Sequence, residues 1–74
     1  MRQQGAVINF NAGRGFGFIL PDGQRISIFA HIRDVRNRLL LRAEDRVEFE
    51  IVTSDKGGRA VDILLLTAAT GGAR

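Results

Sequence analysis

Two short segments of this 74-residue chain carry most of its chemistry: Arg14-Gly15-Phe16-Gly17-Phe18-Ile19 and Ser27-Ile28-Phe29-Ala30-His31-Ile32. In an extended strand alternate residues share a face, so Phe16 and Phe18 point one way and Gly15, Gly17 and Ile19 the other. Glycine weakens a strand and supplies no packing, so rings spaced by glycine read as displayed, not buried. The second segment repeats the theme, with Ile28, Ala30 and Ile32 on an inner face and Ser27, Phe29 and His31 on an outer one. Antiparallel pairing with outer faces matched gathers Phe16, Phe18, Phe29 and His31 into one aromatic surface. Inverting the register would push Ile19, Ile28 and Ile32 into water, which argues against it. Exposed rings stack on unpaired bases, at about 1–3 kcal/mol per base, while arginines engage the phosphates. Arg14 beside Phe16, Arg25 ahead of the second segment, and Lys56 are placed to do so.

Other chemistries find few residues to use. The chain has no cysteine and one histidine, which excludes thiolate and multi-histidine metal sites. Glu48 and Glu50 share a strand face directed to solvent, which does not suit them to act as a catalytic acid pair. Gly13-Arg14-Gly15-Phe16-Gly17-Phe18 starts like a dinucleotide loop, but the last glycine of that pattern falls on Phe18 and no helix follows. The expectation is a binding protein, not an enzyme, with no cofactor and no metal. Eleven basic residues against eight acidic give a net charge of +3, and ten of the eleven are arginine. Arginine forks onto phosphate, which favours a polyanion partner. A GC-rich genome would produce the same arginine bias.

The elements that must position these groups are short strands. Runs at Gly5–Phe10, Gly15–Leu20, Arg25–Ile32, Arg46–Thr53 and Arg59–Leu66 alternate with turn signals, among them Asn11-Ala12-Gly13-Arg14, Pro21-Asp22-Gly23-Gln24 and Ser54–Gly58. Val47, Phe49 and Ile51 form a core face, as do Val61, Ile63 and Leu65. The irregular stretch Arg33–Asp45 contains Leu39-Leu40-Leu41, read as one helical turn or an anchor into the core. Five short strands predict an all-β, five-stranded antiparallel closed barrel, which also removes exposed edges; an SH3-like barrel is the alternative. One domain is expected over residues 5–66, with 67–74 as a flexible tail or linker stub. No apolar run approaches the ~20 residues of a bilayer span, and Met1-Arg2-Gln3-Gln4 precedes no apolar stretch. A cytoplasmic setting is expected.

At this point the residues resemble a family. Arg14-Gly15-Phe16-Gly17-Phe18-Ile19 is similar to the first ribonucleoprotein motif of cold-shock domains, Lys-Gly-Phe-Gly-Phe-Ile, and Ile28-Phe29-Ala30-His31-Ile32 to the second, Val-Phe-Val-His-Ile/Phe. Gly5–Asn11, Val47–Val52 and Ala60–Ile63 resemble the family's first, fourth and fifth strands, in order and at near-family spacing. The resemblance implies an oligonucleotide-binding barrel for single-stranded RNA or DNA, often an RNA chaperone. It assigns binding roles to Phe10, Phe16, Phe18, Phe29 and His31. Three departures stand out: Asn9 replaces an exposed tryptophan, Ile8 a lysine, and Ser27 a base-reading aspartate. These losses predict weaker, less base-selective binding.

Two questions stay open from sequence alone. Arg33, Arg36, Arg38, Arg42 and Arg46 either extend a phosphate track or pair with Asp34, Glu44 and Asp45. Leu64 and Leu66 face outward and cap the barrel, pack under the tail, or meet a second copy. The rival to nucleic-acid binding is therefore a protein-interaction or dimerisation module on the same fold.

Overall fold

A computed structural model describes residues 2–55 and 57–68. Its strands are β1 (Gln3–Asn11), β2 (Phe16–Pro21), β3 (Ile28–His31), β4 (Arg46–Ser54) and β5 (Gly57–Thr67), with two short 3-10 turns at Ile32–Asp34 and Arg36–Arg38. The sheet closes in the order β1-β2-β3-β5-β4. Four of the five pairings are antiparallel, and β3 runs parallel to β5 through Phe29↔Arg59 and Ala30↔Ala60. That pairing departs from the all-antiparallel expectation. The long 32–45 connection carries the chain across the barrel, so closure occurs between strands that start at the same end. Among the described residues, no helix is long and apolar enough to cross a membrane.

The core is small and aliphatic around one ring. Val7, Ile19, Ala30, Val35, Leu41, Val47, Phe49, Ala60 and Ile63 are buried, and Phe10, Ile28, Ile51 and Leu65 pack against them. Ile19 and Ala30 face inward from β2 and β3, so the register is the one that turns Phe16, Phe18 and Phe29 outward. Leu41 is the anchor of its leucine run, while Leu39 and Leu40 stay exposed. Asp45 is buried too; its carboxylate accepts the Arg42 N–H at 2.9 Å and closes the turn that leads into β4.

Several local readings change in three dimensions. The third strand is shorter than the expected Arg25–Ile32, because the turn after Pro21 (Gln24 N–H to Pro21 C=O, 3.1 Å) sends residues 22–27 away from the sheet. Gly15 belongs to the preceding turn, at φ 75°, not to β2. In β5, Ala60 and Ile63 are buried while Val61 is only half-buried. Asp62 is the reason: at φ 50° it interrupts the ladder opposite β4 and inverts the alternation that would have turned Val61 inward. Glu48 and Glu50, expected to face water freely, instead hold Arg2, whose Nη1 lies 2.8 Å from Asp62 and 3.4 Å from Glu50. Of the proposed tail, Thr67 ends β5 opposite Arg46, and residues 69–74 lie outside the described residues.

Candidate nucleic-acid interface

The outer flank of β2 and β3 is built by direct cross-strand pairs. Phe16 sits opposite His31 and Phe18 opposite Phe29. Phe29 is the hub: its ring centroid lies 5.6 Å from Phe16, 6.1 Å from Phe18 in an edge-to-face arrangement, and 6.4 Å from His31. These separations are those of mutually supporting rings. The rings hold one another in place, yet Phe18 remains 37% exposed. His31 is oriented by a local bond, its Nδ1 accepting the Arg33 N–H at 3.1 Å. That leaves Nε2–H as the donor available to a ligand.

Gly17 explains why the rings are spaced as they are. It is buried opposite Phe10, and a Cβ there would lie 2.1 Å from the Asn9 carbonyl oxygen and 2.6 Å from Phe10 Cα. Only glycine lets β1 lie this close across β2. The tight approach brings the β1 residues on the same side into line with the rings.

Beyond Val7 the β1–β2 register shifts, and Ile8 has no partner. The alternation resets, so Asn9 lies opposite Phe18 and Asn11 opposite Phe16, while Phe10 lies opposite buried Gly17. Phe10 is therefore placed differently from the four flank rings. It is half-buried, packs against the core, and reaches the surface at a depression shared with Asn9, Asn11, Ala12 and Phe16. On the far side, parallel pairing sets Arg59 beside Phe29. The strip across four strands thus reads Asn9, Phe18, Phe29, Arg59. Sequence reasoning missed Arg59, because nothing local announces which strand β5 will meet. The expected inner face of Val61, Ile63 and Leu65 would also have turned Arg59 inward, and the irregularity at Asp62 is what reverses it.

The arginines separate into two groups. Arg2, Arg36, Arg46 and Arg59 are held in ion pairs. Arg36 grips Asp62 through two bonds, at 2.6 and 3.0 Å, and Arg46 binds Asp22, one contact at 2.9 Å. These pairings hold the Asp62 and Asp22 carboxyls below the usual carboxylate range, with the hydrogen bond from Arg36 or Arg46 as the largest cause. Arg59 meets Asp34 at 3.4 Å, an ion pair without a hydrogen bond. Among the described residues, the guanidinium groups of Arg14, Arg25, Arg33, Arg38 and Arg42 make no ion pair, and all five residues are exposed. The loop arginines are thus divided, with Arg36 and Arg46 committed and the other three open. Arg38 and Arg42 line a groove with Phe10, Ala12 and Leu39–Leu41 that adjoins the Phe10–Phe16 depression. Lys56 lies outside the described residues.

A closed five-stranded barrel with rings on the β2–β3 flank defines a barrel of the oligonucleotide-binding type. The sequence profile of the 'Cold-shock' DNA-binding domain matches residues 3–66, and the chain belongs to that family. It is 40% identical over 62 residues to the cold shock-like protein CspD of Haemophilus influenzae, covering 81% of this chain and 86% of that protein. It is 39% identical over 62 residues to the probable cold shock protein A of Mycobacterium tuberculosis, covering 81% and 92%. Among solved structures it resembles drosophila Unr CSD456, with a TM-score of 0.73 and 25% identity, over 95% of this chain and 29% of that one.

Proposed function

We propose that this protein binds single-stranded RNA or DNA by stacking unpaired bases on Phe16, Phe18, Phe29 and His31. The observation that carries the reading is the ring array itself: three side chains within 6.4 Å of Phe29 on a wet barrel flank. A monomeric core function would not require them there. Arg14 and Arg25 engage phosphates, as do Arg33, Arg38 and Arg42 around the ring array; Lys56 has the same role. Phe10 lines the adjoining depression and is not a fifth exposed ring. The mechanism has no bond-making step. Such binding suits an RNA chaperone or cold-shock-like regulator acting in the cytoplasm.

Titration of a fluorescent thymidine heptamer at low salt tests the reading. Wild type binds, and Phe29→Ala weakens binding by about 5- to 150-fold, the equivalent of one lost stack. Unchanged affinity in that variant overturns it. A second reading, contact with another copy through Leu64 and Leu66, rests on one observation: Leu66 is 41% exposed. Sedimentation at high protein concentration separates the two, because self-association would be abolished by Leu66→Lys and nucleic-acid binding would not.

A further inference from the structure

Asn9 sets a carboxamide on β1 directly across from Phe18, at the edge of the ring flank. The depression beside the rings is lined by Asn9, Phe10, Asn11, Ala12 and Phe16. Three of its lining residues are apolar and two are asparagines. Asn9 and Asn11 are exposed and alternate on one side of β1, opposite Phe18 and Phe16. Their place on that side follows from the register shift after Val7; an unbroken ladder would have turned Asn9 inward.

The two amides differ in what they leave open. Asn11 Oδ1 accepts the Arg14 N–H at 3.1 Å, so its NH2 is the group still free to donate. The Asn9 side-chain amide makes no hydrogen bond among the described residues, so its donor and its acceptor are both available.

We propose that this amide-lined depression reads the edge of a base stacked beside Phe16 and Phe18, with Asn9 as the specificity-determining residue and Asn11 as its second donor. The proposal rests on the stacking function above. Two donors and one acceptor complement a base edge that has one donor flanked by two acceptors. Uracil and thymine present this as O2, N3–H and O4, and adenine as N1, N6–H and N7. Cytosine has its two acceptors adjacent, with the donor at one end. Guanine has two adjacent acceptors followed by two adjacent donors. A wrong base leaves amide groups unpaired against it. The site therefore favours adenine, uracil and thymine over cytosine and guanine.

Fluorescence anisotropy with thymidine, deoxyadenosine and deoxycytidine heptamers tests this, with an N3-methylthymidine heptamer that keeps the ring and removes its donor. Wild type binds the thymidine and deoxyadenosine oligomers tighter than deoxycytidine by about fivefold or more, the low end of a paired amide contact. N3-methylation erases the thymidine advantage. Asn9→Ala, at an exposed position, brings all four probes to near parity, and its melting temperature reports that it is folded. Equal wild-type affinities, or a preference that survives Asn9→Ala, overturn the amide reading and leave the stacking reading intact. A failure of the stacking reading looks different: no probe binds, or Phe18→Ala changes nothing.

Discussion

Phe29 and Gly17 do opposite jobs on neighbouring strands. Phe29 supports three other aromatic side chains, whereas Phe18 touches only Phe29 among the ring pairs. Removing Phe29 therefore takes away a stacking surface and loosens Phe16, Phe18 and His31, while Phe18→Ala removes one surface. In the heptamer titration Phe29→Ala is expected to lose more affinity than Phe18→Ala; the reverse order would place the hub elsewhere. Gly17 contributes by absence, since its missing Cβ is what lets β1 cross so near. Gly17→Ala forces the two strands apart and is expected to cost about 1–3 kcal/mol of stability in urea unfolding, the usual range for overpacking. An unchanged midpoint would show that the strands part more readily than their backbone contact implies.

At the scale of elements, the β4–β5 side is tied by charge as the β2–β3 side is tied by rings. Arg2 from the start of the chain spans Glu48, Glu50 and Asp62, and Arg36 from the connection between β3 and β4 reaches the same Asp62. The strain of the left-handed Asp62 backbone is held in place by these two guanidinium groups and by the Arg2 bond to the Asp62 carbonyl oxygen at 2.7 Å. Because the folded-state Asp62 carboxyl titrates below its unfolded value, its contribution is fully present above the ordinary carboxylate range and is lost as pH falls through the lowered value. Urea midpoints measured from about pH 7 down to about pH 2 should fall in acid. Asp62→Asn should flatten part of that fall, and Asp22→Asn a separate part, since Arg46 lowers Asp22 in the same sense. Both pairs are exposed, so concentrated salt should shrink both effects. These ties were not legible in sequence, because alternation in β4 says only that Glu48 and Glu50 face out. Which cation meets them depends on where the chain's second residue lands after the barrel closes.

For the whole molecule, the net charge of +3 conceals an uneven distribution. Arg36 and Arg46 are spent internally, while Arg38 and Arg42 border a groove that continues from the ring flank. With the six cations assigned to phosphates, the logarithm of affinity for a heptamer should fall with the logarithm of salt at a slope of about −4, at about −0.7 per phosphate neutralised. Arg38→Ala and Arg42→Ala should each make the slope shallower by about 0.7 if they hold a phosphate. Arg36→Ala should leave the slope where it was. An identical slope in all three variants would place the phosphate path off this groove.

The sequence by itself determined the strand pattern, the outward rings and the barrel class, because a period of two is local: once Ile19, Ile28 and Ala30 must be dry, Phe16, Phe18 and Phe29 have nowhere to go but out. Its motifs also carried the family. The tertiary structure alone decided the frame around those rings. The register shift at Ile8 moved Asn9 to the outer side and Phe10 to the inner, the left-handed Asp62 exchanged Val61 for Ala60 in the core, and parallel closure brought Arg59 to Phe29. Each of these depends on one residue inserted into a ladder or on which strand is met last, and neither is written in the spacing of apolar side chains.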